Sequence, residues 1–331
     1  MNPGESPRIP RWLILLLGYG ISIACMFWVY RGYDWSEQVP RLLATDLSWV
    51  IVAVAFNVGT YIVQGLRWSL LLNQVGSSDR LRATQAIFIG LFANEVLPLR
   101  PGEVIRCYLQ RRWTGLPLEV VLSSALIERI IDGVIIIIGF FVVTRYVTLP
   151  GILVQGSRVL LLVLLMLMIM IASAIIYRRR THELIAQSRW KDILLHVVNA
   201  VDAMGSSKML FGVIALSFVF MGMQIVPIWA LMKGFNLNLT AWDALVAFVV
   251  LRLATVVPFS PGNVGPFQGS IVLALTLLNI PRDLATSYAT LLFFVITVPL
   301  WLAGFVALVA TRMRLDELHK DAHEPAHANG K

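Results

Sequence analysis

Residues 98–106 read Pro-Leu-Arg-Pro-Gly-Glu-Val-Ile-Arg, and residues 258–268 read Pro-Phe-Ser-Pro-Gly-Asn-Val-Gly-Pro-Phe-Gln. Both stretches contain Pro-x-x-Pro-Gly-x-Val, and each follows a short apolar segment. Proline removes a helix hydrogen bond and glycine costs about 1 kcal/mol inside a helix, so each stretch predicts a broken helix. Within a membrane such a break persists only where protein or water satisfies the free backbone groups.

The two stretches also match in their flanks, which indicates an internal repeat. The matched pairs are Pro98 with Pro258, Pro101 with Pro261, Gly102 with Gly262, Val104 with Val264, Phe88 with Phe248, Leu91 with Leu251 and Val96 with Val256. Identical spacing over seven positions makes chance the weaker interpretation. The remaining motif residues that we single out are Asn263, Gly265 and Gln268.

Composition and run length predict an integral α-helical membrane protein. Of the 331 residues, 58% are hydrophobic and 14% are charged, whereas soluble domains carry about 25% charged residues. Several apolar runs reach the roughly 20 residues that cross a bilayer as a helix. We therefore predict an all-α polytopic protein with about six full spans plus two re-entrant broken-helix hairpins in an inverted repeat. The predicted spans are 12–30, 47–72, 118–143, 159–177, 209–232 and 284–310, and the short arms before the breaks are 83–97 and 244–257.

The placement of arginines predicts the topology, since cytoplasmic loops carry an excess of Lys and Arg. Arg8 and Arg11 predict a cytoplasmic N-terminus, the run 178–180 a cytoplasmic loop, and Arg312 and Arg314 a cytoplasmic C-terminus, in a bacterial cytoplasmic (inner) membrane. The first hairpin then enters from the cytoplasm and the second from outside, so the halves are inverted. The predicted parts are a cytoplasmic N-terminus (1–11), a transmembrane domain (12–312) with repeat halves 47–143 and 209–310 and a cytoplasmic amphipathic helix at 181–207, and a disordered cytoplasmic tail (313–331).

Inverted repeats with discontinuous helices are a recurring transporter design, because the substrate site forms between the repeats. The alternative is that the prolines and glycines only kink two ordinary helices, as happens often in membrane bundles. Charge near the breaks argues against that alternative, because charged side chains at the bilayer centre cost roughly 2.5 to 3.5 kcal/mol.

The charged residues near the breaks fall into two groups. Arginine forks suit phosphate, so we predict a headgroup-binding group and a second group for proton coupling or ion pairing. The first group is Arg67, Arg100, Glu103, Arg106 and Arg252, and the second is Glu95, Glu128, Arg129 and Asp132. Glu128 and Asp132 are four residues apart and share a helix face. Internal ion pairs that fix helix packing are the open alternative for every one of these residues.

No metal, cofactor or nucleic acid is expected. The two cysteines, Cys25 and Cys107, provide neither a metal-ligand spacing nor a disulfide framework. The net charge of +8 is explained by basic residues at membrane edges, which attract anionic lipids at about 1 kcal/mol each. Membrane lipids are the expected partners, and lipid- or glycan-modifying enzymes are a further possibility.

With these motifs the chain resembles the flippase-like family that includes the transmembrane region of lysylphosphatidylglycerol synthases and stand-alone relatives. The resemblance rests on residues 98–106, on Glu128-Arg129 with Asp132, and on residues 258–265, and it covers nearly all of 12–312. It implies lipid translocation between leaflets. Members often carry an acidic residue shortly after the second motif, where this chain has Gln268. The change from an acid to an amide could alter the headgroup that is accepted or the coupling to protons. Only about 20 residues follow the last span, so we expect no aminoacyl-transfer domain.

Translocation of a lipid or lipid-linked molecule is therefore the predicted function, and three alternatives stay open. A membrane-embedded enzyme lacks a signal, because no intramembrane histidine, zinc-type ligand set or Gly-x-Ser-x-Gly element occurs in the sequence. A non-catalytic membrane partner of lipid or glycan synthesis enzymes, and a transporter of a small solute, both fit the same architecture.

Overall fold

A computed structural model describes residues 11–97, 101–149, 151–176, 207–255 and 261–311. Over these ranges the secondary structure is helical, with eleven α-helices and one 3-10 turn, and no strand. Pro98, Arg100, Pro258, residues 1–10, nearly all of the predicted amphipathic helix at 181–207, and the predicted tail at 313–331 lie outside the described residues.

The helices are α1 (Arg11–Tyr30), α2 (Trp35–Leu43), α3 (Leu47–Leu72), α4 (Arg80–Val96), α5 (Gly102–Thr114), α6 (Leu118–Val143), α7 (Gly151–Ile176), α8 (Ser207–Gly234), α9 (Ala241–Thr255), α10 (Pro266–Leu277) and α11 (Arg282–Ala310), with the 3-10 turn at Pro261–Asn263 before α10.

Three of these helices are long and apolar enough to cross a bilayer: α3, residues 211–234 of α8, and α11. The helical membrane-protein character is therefore confirmed, while the count of six spans remains a prediction. Helix α6 is as long as α3, with 26 residues, but it carries Glu128, Arg129 and Asp132 in its middle. These charges, rather than its length, separate α6 from the three apolar helices.

The first break is a tight hairpin, because α4 and α5 lie side by side rather than end to end. A Cβ atom added to Gly90 would lie 2.6 Å from the carbonyl oxygen of Gly102, and one added to Gly102 would overlap the carbonyl oxygen of Gly90. In one continuous helix these residues would be about 18 Å apart at 1.5 Å per residue. Asn94 fastens the turn, since its Oδ1 accepts the backbone N–H of Gly102 at 2.7 Å. A simple kink is therefore wrong for this break.

The second break, between α9 and α10, has the same form, since these two helices also pack against each other. The order long helix, two short helices, long helix thus occurs twice. The lengths are 26, 17, 13 and 26 residues for α3 to α6, and 28, 15, 12 and 29 residues for α8 to α11. We call α3–α6 unit one and α8–α11 unit two.

Packing between the units is symmetric. If α3 to α6 are matched in order with α8 to α11, each packed helix pair has a packed counterpart. Helix α4 packs on α11 as α9 packs on α6, and α3 packs on α11 as α8 packs on α6. The two first helices, α3 and α8, form the most extensive pair. They run antiparallel, because Asp46 donates its backbone N–H to the Gly234 carbonyl at one end (3.1 Å), and Arg67 contacts Ser217 at the other (2.9 Å).

The remaining helices surround this eight-helix core. Helix α1 packs on α10 and the 3-10 turn, α2 packs on α11, and α7 packs on α6 and α9. The sequence predicts no helix between the first two spans, yet α2 lies there, and Asp34 caps its N-terminus by accepting the Ser36 backbone N–H. A search for apolar runs long enough to cross a membrane misses α2, because it has only nine residues.

Candidate functional site

A buried ion cluster joins three long helices beside the first break. The guanidinium of Arg67 on α3 contacts Glu128 at 3.1 Å and Asp132 at 2.6 Å, both on α6. It also donates to the Ser217 hydroxyl on α8 at 2.9 Å. Arg67, Glu128 and Ser217 have no exposed surface, and Asp132 is 4% exposed. The predicted i, i+4 pair of acids therefore shares one guanidinium, and the cluster ties unit one to unit two.

The cluster continues toward the surface through the first hairpin. Arg106 on α5 pairs with the second oxygen of Glu128 at 3.1 Å and with Glu103 at 2.8 Å. Glu103 also pairs with Arg129 at 2.6 Å. The side chains of Glu103 and Arg129 are about half exposed, whereas Arg106 is buried. Three arginines and three acids thus form a chain that runs from a dry interior to an accessible rim.

Aromatic faces complete the surroundings of the two buried arginines. The Arg67 guanidinium lies 4.8 Å from the Phe220 ring centre, and that of Arg106 lies 4.6 Å from the Trp68 ring centre. Trp68 is held by its own bond from Nε1 to the Ser124 hydroxyl. Such cation–π contacts strengthen in desolvated sites. Arg67 is therefore satisfied on every side, and it lines neither of the two cavities described next.

The smaller cavity, of about 140 Å³, opens beside the half-exposed end of the ion cluster. Three arginines and one glutamate line it together with amides and apolar residues. The lining residues are Arg106, Arg129, Arg252, Glu103, Gln64, Asn94, Tyr61, Ile87, Gly90, Leu91, Gly102 and Phe220. Within the described part of the chain, Nε of Arg106 has no hydrogen-bond partner. Both units contribute walls, since Phe220 and Arg252 belong to unit two.

The larger cavity, of about 150 Å³, adjoins the smaller one, because Tyr61, Leu91 and Arg252 line both. Its walls combine Glu95 and Arg252 with aromatic and aliphatic side chains from α3, α4, α8, α9, α10 and α11. Glu95 comes just before the first break, and it reaches the second: a Cβ atom on Gly262 would lie 2.7 Å from Glu95 Oε2. The structure therefore brings the two broken-helix motifs to one place between the units.

The second break owes its form to three residues with left-handed backbone. Gly262, Asn263 and Gly265 have φ angles of 59°, 56° and 94°, which favour glycine and asparagine. The side-chain oxygen of Gln268 accepts the Gly265 backbone N–H at 2.8 Å and thereby caps α10. Helix α1 closes this turn from outside, where the Ser22 hydroxyl donates to the Val264 carbonyl at 2.8 Å. Gln268 therefore serves the turn itself and lines neither cavity.

The predicted site residues thus separate by position. Glu103, Arg106, Arg129 and Arg252 line the smaller cavity, and Glu95, Arg252, Gly262 and Asn263 line the larger. Arg67, Glu128 and Asp132 lie behind the smaller cavity in the ion cluster. Among the described residues, no group of three His, Cys, Asp or Glu side chains could hold a metal ion.

Sequence reasoning does not find Ser217, Gln64 or Tyr61. Each is one polar or aromatic residue within a long apolar helix, so it has no spacing partner that marks it. Gln64 carries a weak signal, because it precedes Arg67 by three residues and so shares its helix face. Ser217 becomes recognisable only once α8 lies antiparallel to α3.

Comparison with known proteins places this arrangement among membrane proteins. The sequence profile of the family described as "Lysylphosphatidylglycerol synthase TM region" matches residues 15–304. A UPF0104 membrane protein of Methanocaldococcus jannaschii is 20% identical over 92% of this chain and 96% of its own length. A UPF0104 membrane protein of Methanothermobacter thermautotrophicus is 23% identical over 73% of this chain and 78% of its own length. The glycosyltransferase AglD of Haloferax volcanii is 27% identical over 38% of this chain and 20% of its own length.

Proposed function

The chain belongs to the family of lysylphosphatidylglycerol synthase transmembrane regions, and on that premise we propose that it moves a lipid or lipid-linked molecule with an anionic headgroup between the leaflets of the bacterial cytoplasmic membrane. The observation that carries the proposal is the smaller cavity. Arg106, Arg129 and Arg252 line it against the single carboxylate of Glu103. Guanidinium groups match phosphate oxygens in geometry and stay charged at any working pH.

The arrangement of the two units supports movement of this ligand rather than static binding. Helices α3 and α8 are antiparallel, and each helix pair between the units has a counterpart in which the two units swap roles. Both hairpins reach the cavities. We propose that the units form an inverted repeat and that rocking one against the other opens the cavity to each leaflet in turn, as in other transporters with discontinuous helices. The termini are cytoplasmic in this proposal, and no catalytic step is part of it.

The site residues take different roles in this proposal. Arg129 and Arg252 contact the headgroup, Glu103 orients Arg106 and Arg129 through its two ion pairs, and the unpaired Nε of Arg106 offers the headgroup a further donor. A buried donor without a partner costs about 1 to 3 kcal/mol, so a phosphate oxygen that reached it would gain that amount. Arg67 moves from the predicted headgroup group to a positioning role, because it has no exposed surface and is saturated by Glu128, Asp132 and Ser217.

The experiment is leaflet exchange in liposomes that contain purified protein and a fluorescent phospholipid, or in parallel a fluorescent isoprenoid phosphate. The variants are Arg129→Gln and Arg252→Gln, and the matched control is Arg145→Gln, an exposed arginine just beyond α6. Each cavity variant removes one charge without emptying the buried cluster. We expect wild type and the control to exchange one of the probes, and the cavity variants to lose about tenfold in rate, which corresponds to 1.4 kcal/mol.

Two results would contradict the proposal. Folded wild-type protein that exchanges neither probe would exclude these lipid classes as cargo. Equal loss in Arg145→Gln would show that surface charge, and not the cavity, sets the rate. Exchange of only one probe would show whether the site accepts a phospholipid or an isoprenoid phosphate.

A second candidate function has one observation in its favour. The stretch of AglD that matches this chain is a fifth of a protein named as a glycosyltransferase. We therefore propose, as the alternative, that the chain is a non-catalytic membrane partner of a lipid- or glycan-modifying enzyme. On that alternative Arg129→Gln and Arg252→Gln would leave the enzyme's product level in cells unchanged.

A further inference from the structure

An apolar groove on the outer surface of the bundle lies apart from the two cavities. It has a volume of about 630 Å³, within the roughly 300 to 1,000 Å³ range of small-molecule sites. Helices α1, α2 and α11 form its walls. The lining residues are Met26, Tyr30, Trp35, Leu42, Thr290, Leu291 and Phe294.

The groove begins at an aromatic cluster where α1 ends and α2 begins. The rings of Tyr30 and Trp35 are stacked with centres 5.3 Å apart, and Tyr33 meets Trp35 edge-on at 4.9 Å. Tyr and Trp concentrate at the boundary between hydrocarbon and headgroups. Tyr30 also bonds to Thr290 on α11 at 2.7 Å, which fixes the mouth of the groove. We therefore infer that the mouth lies at a membrane interface and the rest of the groove in hydrocarbon.

Three phenylalanines lead from the groove to the larger cavity. Phe294 lines the groove and contacts Phe293, with ring centres 5.8 Å apart. Phe293 contacts Phe267 at 5.4 Å, and Phe267 lines the larger cavity. The partition between groove and cavity thus includes aromatic side chains, which can change rotamer without breaking any hydrogen bond.

Arg41 is a cationic group beside the mouth, and the acids Asp34, Glu37 and Asp283 lie in the same region. Arg41 flanks Leu42 on α2, and its guanidinium donates to the Gln38 side chain at 3.5 Å. It is solvent-exposed, whereas the carboxylate of Asp34 is engaged by the hydroxyl and backbone N–H of Ser36. Basic residues at the headgroup level attract anionic lipids.

From these observations we propose that the groove holds an acyl chain of an anionic glycerophospholipid, and that it is the lateral route between the larger cavity and the leaflet at which α11 begins. The occupant follows from position, because a groove whose mouth lies at the headgroup level and whose walls are hydrocarbon is open to the lipids that surround it. The route rests on the proposed translocation function, whereas occupancy of the groove does not.

The test uses the full chain in lipid nanodiscs that contain phosphatidylglycerol with a photoreactive diazirine at mid-chain. Adducts are mapped by mass spectrometry on α1, α2, α11 and α6. The reference surface is Phe141 on α6, which is 55% exposed, as Phe294 is 54% exposed. We expect adducts at the groove to exceed those around Phe141 by about tenfold, a preference of 1.4 kcal/mol.

Paired variants test the route. Phe294→Trp fills the groove, and Phe141→Trp makes the same change on the reference surface. We expect Phe294→Trp to lose the groove adducts and to slow leaflet exchange by about tenfold, while Phe141→Trp changes neither.

Each outcome bears on the proposal. Equal labelling of both surfaces, or groove adducts formed only by an isoprenoid phosphate carrying the same group, would overturn it. Exchange that stays fast in Phe294→Trp while groove adducts vanish would overturn the route. Groove adducts with no exchange by wild type would support the bound acyl chain and contradict the translocation function.

Discussion

At the scale of single residues, the main feature is that the most deeply buried charges are paired with one another. Arg67 bonds to Glu128, Asp132 and Ser217, which belong to two other helices. Removing one partner from a buried pair typically costs about 3 to 5 kcal/mol, because the remaining charge is left unpaired. Replacing the whole pair by apolar side chains can be nearly neutral. The cluster should therefore determine helix positions more than overall stability.

This asymmetry gives a prediction for Arg67. Arg67→Met should lower the thermal midpoint strongly, because two carboxylates lose their shared cation. The double variant Arg67→Met/Asp132→Leu should recover a good part of the loss, since Glu128 keeps its pair with Arg106. Thermal unfolding of detergent-purified protein, monitored by fluorescence-detected size-exclusion chromatography, gives the thermal midpoints of both variants. A single variant as stable as wild type would show that the cluster is not closed in the folded protein.

The sequence predicts part of this cluster and not the rest. Glu128, Arg129 and Asp132 lie within one helical turn or so, and local spacing is enough to put the two acids on one face. The partner of those acids cannot be deduced this way, because Arg67 lies 61 and 65 residues earlier. Only the packing of α3 against α6 and α8 decides which arginine is buried and which faces the cavity.

At the scale of elements, the two proline-glycine motifs form turns of helical hairpins. Gly102 is required in the first hairpin because its backbone touches that of Gly90, so no Cβ atom fits. In the second, Gly262 and Gly265 are required by positive φ angles. The sequence shows both breaks, but the same residue pattern could also produce kinks, so the close packing of the arms emerges only from the structure.

The hairpin contact predicts the effect of adding one methyl group. Gly102→Ala should separate α4 from α5 and destabilise the protein by about 1 to 3 kcal/mol, the usual cost of overpacking. Gly222→Ala is the matched control, because no atom of the described residues lies within 4 Å of a Cβ atom there and alanine favours a helix. Thermal midpoints of the two variants give the comparison. Equal midpoints would mean that the arms of the hairpin are farther apart than described.

At the scale of the whole molecule, two four-helix units with similar helix lengths pack together. Each helix pair between them has a counterpart in which the two units swap roles. Their first helices run antiparallel, from Asp46 beside Gly234 at one end to Arg67 beside Ser217 toward the other. The matching motifs allow the sequence to predict a repeat. Pairing of the units depends on contacts more than a hundred residues apart, such as Arg67 with Ser217, which no local pattern encodes.

The antiparallel units predict a topology that labelling can test. The exposed residues Ser77, before α4, and Asn238, before α9, should lie on opposite membrane faces. In a background with Cys25→Ala and Cys107→Ala, Ser77→Cys and Asn238→Cys should each react with a membrane-impermeant maleimide from one face only, and from different faces. Reaction of both positions from the same face would exclude inverted units.

The central claim is that the two adjoining cavities, which both units line, serve both leaflets. Thr297 lines the larger cavity, and Thr297→Cys in the same cysteine-free background tests the claim most directly. Membrane-impermeant maleimide is added to right-side-out and to inside-out vesicles, with Ser77→Cys and Asn238→Cys as references for each face. The account predicts that Thr297→Cys reacts from both sides, and that phosphatidylglycerol slows both reactions. Reaction from one side alone, with both references behaving as expected, would contradict it.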